Sequence, residues 1–181
     1  MLDRDELIDN CLKAVTAGNG ADEVRQIIAR AVSEPAALIK ALGEPKQAGV
    51  ERLYVSDTMT VLNVVWKAGM NLPPHDHRMW SVIGIYTGRE DNILWRRPPA
   101  NSDGRLRPVG AMALCEREVT AFGVDVIHSV LNPIDRLSGA IHVYGGEFFR
   151  TPRSQWDAEV LQEQPIDLEK IMGAFAVRRV E

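Results

Sequence analysis

The sequence predicts an all-β antiparallel barrel or sandwich that carries a helical arm at its N-terminal end. Apolar residues recur at helical spacing through the first 45 positions. From about residue 50 the texture changes to short β-branched and aromatic segments punctuated by Gly and Pro, and no helical period longer than two turns interrupts them. At 181 residues, 45% of them hydrophobic and 25% charged, the chain is about one domain long and can bury a real core.

Residues 3–16 read as an amphipathic helix, because Leu7, Ile8, Cys11, Leu12 and Val15 recur at three- and four-residue steps behind an Asp3/Glu6 capping pair. Gly18-Asn19-Gly20 ends it. A second helix follows in Val24, Ile27, Ile28, Ala31 and Val32, and a third starts at Ser33 with Pro35 in its first turn and stops at Gly43. Strands are expected over 51–56, 58–66, 80–87, 91–96, 111–121, 126–130 and 138–144. The segment 98–110 reads as a polar turn-rich loop between two halves of the barrel, and 166–173 as a short helix. The expected organisation is an arm over 1–48, a barrel over 49–150 and a C-terminal wrap of the same domain over 151–181.

Twenty-one Lys and Arg against 25 Asp and Glu give a formal charge of -4, so there is no global positive field to gather nucleic-acid phosphates. The acidic start MLDRDELIDN lacks the basic and apolar regions of a secretory signal, and apolar runs such as VLNVVW fall far short of a membrane span. Two distant cysteines, Cys11 and Cys115, argue against a disulfide framework. A reducing cytoplasm fits, with both as core thiols.

The four histidines, His75, His77, His128 and His142, all fall in the β region. Side chains alternate faces along a strand, so His75 and His77 point the same way and can reach one ion, while Asp76 points away. Five residues separate Gly69 from His75, Gly88 follows in a hydrophobic hairpin, and His128 is followed by Asn132 in the spacing H-x-x-x-N. This set resembles the two signature motifs of the cupin superfamily over residues 50 to 150. The resemblance implies a double-stranded β-helix, or jelly roll, with a metal inside one end of the barrel.

The pattern departs from the family in two places. No carboxylate stands among residues 78–82, where many cupins place a Glu ligand, so His128 is left as the third ligand. Gly123-Val124-Asp125 stands where Pro-x-Gly is common, and Asp125 lies an odd number of residues before His128, facing the other side. A three-histidine site leaves its ion the whole +2 charge and favours anionic donors such as a thiolate or carboxylate.

In LSGAIHVYGGEFF, His142 and Tyr144 again share a face, with Ala140 before them. PHDHRMWSVIGIYTGRE together with IHVYGG is similar to the thiol dioxygenase group of cupins, the cysteine dioxygenase and 3-mercaptopropionate dioxygenase enzymes. The resemblance implies ferrous iron on His75, His77 and His128, with zinc, nickel, manganese and copper also compatible with three imidazoles. It implies oxidation of a small thiol by dioxygen to a sulfinic acid. His142 and Tyr144 are then two members of the group's Ser-His-Tyr relay, with Tyr144 donating a hydrogen bond to oxygen or to the thiolate. Ala140 stands in the place of the Ser, so Ser138 or a water orients His142, or the relay works differently. A carboxylate-bearing thiol needs a cation; the resemblance places it just beyond the Tyr, at Arg150 or Arg153, in the 3-mercaptopropionate branch, and on an earlier strand, near Arg52, in the cysteine branch, and Arg153 is favoured. Trp80 is assigned to the barrel core. The expected partners are small molecules, with neither nucleic acid nor membrane. Two alternatives stay open: a metal-dependent cupin enzyme acting on a non-thiol substrate, and a non-catalytic cupin that binds a small molecule.

Overall fold

In the computed structural model, residues 2–97, 99 and 104–175 are described. The arm is three helices, α1 (Arg4–Thr16), α2 (Gly20–Val32) and α3 (Pro35–Leu42). Asp3 caps α1 by accepting from the backbone N–H groups of Asp5 and Glu6. The chain leaves α1 through Gly18, whose φ of 79° is the left-handed conformation a glycine adopts without strain. Leu7, Ile8, Cys11 and Ala14 of α1 and Val24, Ile27, Ile28, Ala31 and Val32 of α2 are buried on one continuous side.

Eleven strands follow among the described residues: β1 (Gly49–Val55), β2 (Thr60–Trp66), β3 (Asn71–Asp76), β4 (Ser81–Thr87), β5 (Arg89–Arg96), β6 (Arg107–Cys115), β7 (Val119–Phe122), β8 (Ile127–Leu131), β9 (Ser138–Tyr144), β10 (Ser154–Trp156) and β11 (Glu163–Pro165), before the helix α4 (Leu168–Phe175). They form two antiparallel sheets, in the orders β1-β2-β9-β4-β7 and β11-β10-β3-β8-β5-β6. From β2 to β5 and again from β7 to β9, successive strands alternate between the sheets. That crossing is the double-stranded β-helix, and it closes the two sheets face to face around an interior.

Several expectations need correction. The strand β3, which carries His75, lies outside the expected strands because Pro73 and Pro74 interrupt its donors; the chain tolerates them through a register shift between Leu72 and His75. The segment 111–121 is two strands in different sheets, parted by a turn in which Arg117 has a φ of 73°. The expected loop at 98–110 gives way to β6 from Arg107, and β5 and β6 are neighbours in one sheet rather than members of separate halves; positions 98 and 100–103 lie outside the described residues. Cys115 is exposed, not a core thiol, whereas Cys11 is buried and its thiol is pushed up to about 12 by desolvation. In the 151–181 segment, β10 and β11 extend the second sheet beside β3, and residues 176–181 lie outside the description.

The arm covers the outer face of the first sheet, α2 lying across β4 and β7. Gly84 makes this approach possible: a Cβ there would stand 2.4 Å from Ile28 Cγ2 and 2.9 Å from Val32 Cγ1. Tyr86, on the same face, donates to Asn63 Oδ1 at 2.9 Å, and burial pushes its phenol up to about 12. Trp80 also packs in this layer, between the helices and the sheet rather than in the barrel interior. Gly84→Val is expected to force α2 off the strand and cost about 1–3 kcal/mol, a fall of several degrees in Tm by calorimetry; an unchanged Tm would mean the arm is not seated on β4. Among the described residues no helix is long and apolar enough to cross a membrane.

Candidate metal centre

The second sheet brings three of the histidines together. β3 and β8 pair so that His75 lies directly opposite His128, and His77 follows one residue past the end of β3 on the same side. Their exposures are 6%, 4% and 1%, so the rings face the interior. His77 Nε2 and His128 Nε2 stand 3.3 Å apart, and one ligand atom from each of the three falls within 4.8 Å of the others. Two nitrogens bound to one ion at ~2.0–2.1 Å sit roughly 3.0–3.4 Å apart, so small ring rotations complete the set. Among the described residues this is the one group of three or more His, Cys, Asp or Glu side chains placed to share an ion.

Their protonation also suits a cation. Burial drives His75 down to about 4, and burial reinforced by the neighbouring imidazoles drives His77 and His128 well below the ordinary range, so all three rings are neutral near pH 7. His75 Nδ1 lies 2.9 Å from the Pro73 carbonyl, which can only accept, so the hydrogen is on Nδ1 and Nε2 is bare. His128 Nδ1 lies 2.6 Å from Asn92 Oδ1, which leaves its Nε2 free in the same way. Asp76, between the two ligands of β3, turns away to Arg78 Nε (2.7 Å), Arg97 Nη2 (3.1 Å) and the Ser154 N–H (2.8 Å), tying down that end of the strand. Asn132, the end of H-x-x-x-N, is a loop clamp: its amide donates to the carbonyls of Trp66, Lys67 and Arg136.

The facing sheet supplies the other wall. β9 points His142 and Tyr144 into a cavity of about 50 Å³ that the three histidines also line, closed by Trp66, Phe148 and the inner side of α4. A space of this size suits a small occupant. Tyr144 is 3% exposed, its hydroxyl is 3.0 Å from His142 Nδ1, and burial raises its pKa. Ala140 sits in an apolar cluster with Ile83, Ile85 and Phe122. Ser138 makes no hydrogen bond to His142; its hydroxyl accepts from the Arg89 N–H at 2.9 Å.

A residue that sequence reasoning missed stands there instead. Glu90 of β5 is 0% exposed, with Oε2 3.4 Å from His142 Nε2 and Oε1 accepting from Asn92 Nδ2 at 3.1 Å. The signal was present as period-two alternation, since Glu90, Asn92 and Leu94 share a face, but a charged REDN run reads as solvated surface.

The three candidate arginines separate cleanly. Arg52 is exposed and lies over the Phe149 ring, and Arg150 is exposed and pairs with Glu147 and Asp57. Arg153 is 6% exposed and lines the cavity, its guanidinium 3.9 Å above the Phe148 ring and donating from Nη1 to the Phe148 carbonyl. Its Nε and Nη2 are buried with no hydrogen-bond partner. Buried, unsatisfied cationic donors beside a cation site call for an anion.

No family model matches the chain. Solved structures similar to it include an RmlC-like cupin family protein with a double-stranded β-helix fold from Methanocaldococcus jannaschii (15% identity, 58% of this chain and 85% of that one, TM-score 0.47). A cupin superfamily protein from Desulfitobacterium hafniense is also similar (11% identity, 58% and 83%, TM-score 0.44). So is oxalate decarboxylase from Bacillus subtilis (15% identity, 58% and 27%, TM-score 0.42). The double-stranded β-helix of this chain rests on its own two alternating antiparallel sheets, and it carries a three-histidine cluster suited to a metal ion.

Proposed function

We propose that the chain is a non-haem iron dioxygenase that oxidises a small carboxylate-bearing thiol, of the cysteine or 3-mercaptopropionate class, to a sulfinic acid. One observation carries the reading: Arg153, whose buried Nε and Nη2 have no hydrogen-bond partner, lines the same small cavity as three neutral imidazoles. His75, His77 and His128 would hold ferrous iron through Nε2. Bound there, iron supplies the redox chemistry that joins both atoms of dioxygen to sulfur, RS⁻ + O2 giving RSO2⁻. Arg153 offers its planar fork to the carboxylate and fixes the distance from that group to sulfur. Tyr144 and His142 stand at the reacting end. Trp66, Phe148 and Phe175 keep the space dry, which strengthens each charged contact inside it. The partners on this reading are a small thiol and dioxygen.

Iron-loaded protein is expected to consume oxygen with 3-mercaptopropionate or cysteine, and far more slowly with cysteamine, which has no carboxylate. Inactivity with all three removes the reading. Arg153→Met is expected to raise KM for the carboxylate thiol roughly 10- to 100-fold, the worth of hydrogen bonds to a charged group. Equal KM values in the two proteins would place the carboxylate elsewhere. The Glu90 contact and Ala140 favour a second reading, a metal-dependent cupin enzyme acting on a small non-thiol carboxylate; metal analysis of protein purified without chelators separates the two.

A further inference from the structure

We infer that Glu90 is a positioning residue that fixes the polarity of the Tyr144 hydroxyl, making it a hydrogen-bond acceptor toward the cavity. His128 can present Nε2 to an ion only with its hydrogen on Nδ1, and that hydrogen must go to Asn92 Oδ1, 2.6 Å away. The amide of Asn92 is therefore not free to flip: Nδ2 faces Glu90 Oε1 at 3.1 Å and donates to it. The other carboxylate oxygen, Oε2, stands 3.4 Å from His142 Nε2; both atoms are buried without a hydrogen-bond partner, so they are placed to satisfy one another. A carboxylate can only accept, so the pairing we infer puts the hydrogen of His142 on Nε2. His142 Nδ1 is then bare and takes the hydrogen of the Tyr144 hydroxyl, 3.0 Å away. With that pairing the row runs from His128 through Asn92, Glu90 and His142 to Tyr144 with one consistent set of donors and acceptors.

The consequence is that Tyr144 turns lone pairs, not its hydrogen, toward the occupant. This reverses the donor role that the family resemblance suggests. Resting on the thiol reading, a second step follows: an arriving S–H group finds an acceptor at Tyr144 while Arg153 holds the carboxylate. Ala140 costs nothing here, because Glu90 does from the opposite sheet what a hydroxyl on β9 would do.

Glu90→Gln tests the idea with almost no change of shape. Its oxygen must meet Asn92 Nδ2, so its NH2 faces His142 Nε2 and donates; the ring hydrogen moves to Nδ1 and the Tyr144 hydrogen is released into the cavity. Long-range proton–nitrogen NMR spectra of zinc-loaded protein, in which the metal is diamagnetic, read which ring nitrogen carries hydrogen. The expected results are His142 Nε2–H in the parent, Nε2–H retained in Tyr144→Phe, and Nδ1–H in Glu90→Gln. Hydrogen on Nδ1 in the parent, alone or on both nitrogens, overturns the inference, as does an Nε2–H that persists in Glu90→Gln. The parent spectrum decides even if the variant does not fold. These spectra need no substrate, so they stand or fall apart from the thiol reading. If a thiol is turned over, Glu90→Gln is expected to lower kcat about tenfold, one hydrogen bond's worth, with KM nearly unchanged because Arg153 is untouched; a parent-like kcat removes the second step alone.

Discussion

His128→Ala protein is expected to come through purification with its fold intact, to bind ferrous iron more than about 100-fold more weakly than the parent, and to consume no oxygen above background. The size of the effect follows from the position. Loss of a group that merely orients a ligand costs about 10- to 100-fold in metal affinity, and His128 is placed to be a ligand itself. It is also opposite His75 across the β3–β8 ladder, so its removal leaves His75 and His77 with no nitrogen on the neighbouring strand. Asn92→Ala, which frees the His128 ring to turn but leaves all three imidazoles, should fall in the smaller range. Metal content by elemental analysis and affinity by competition with a chelator check both. A His128→Ala protein with a full equivalent of iron would put the ion somewhere else.

Metal-free protein is expected to lose stability steeply as the pH falls from about 6.5 toward 4. An unfolded chain protonates His75 at the ordinary 6.5, whereas desolvation in the folded site holds it at about 4. Between those values the unfolded state binds a proton that the folded state refuses, so acid favours unfolding, and stability rises again with pH. His75 alone accounts for about 3 kcal/mol by the bottom of that window, at about 1.4 kcal/mol per unit. His77 and His128 are displaced in the same direction and add to it. Urea midpoints at pH 7, 6 and 5 measure the effect. A midpoint constant over that range would mean that the three rings are not held neutral. A divalent ion should compete with protons for the same nitrogens and be released in the same window.

Which parts of this site can be read from letters depends on how far apart the interacting residues are. His75 and His77 declare themselves because period two is local, and His142 and Tyr144 do so for the same reason. The burial stripes of α1 and α2 are as plain, since three- and four-residue steps need no knowledge of the partner surface. The strand that carries the ligands was obscured by Pro73-Pro74, whose lost donors only a register shift excuses. Glu90 was invisible for a different reason. Its meaning depends on pairing between β5 and β8, where Asn92 faces Val130 and reaches diagonally to His128, and on β9 crossing opposite; none of that register is written in the REDN run. Arg153 could be named only as one of three arginines, because what separates it from Arg52 and Arg150 is enclosure.

The ligands come from neighbouring strands, yet 51 residues of chain separate His77 from His128 in the contact that joins them. An ion held between them is therefore a cross-link that closes a long loop, tying the first half of the barrel to the last. It forms only when β8 has found β3, so occupancy reports completed assembly rather than local order. At a concentration 1,000 times its dissociation constant such a tie is worth about 4 kcal/mol, a large share of the stability of an ordinary domain.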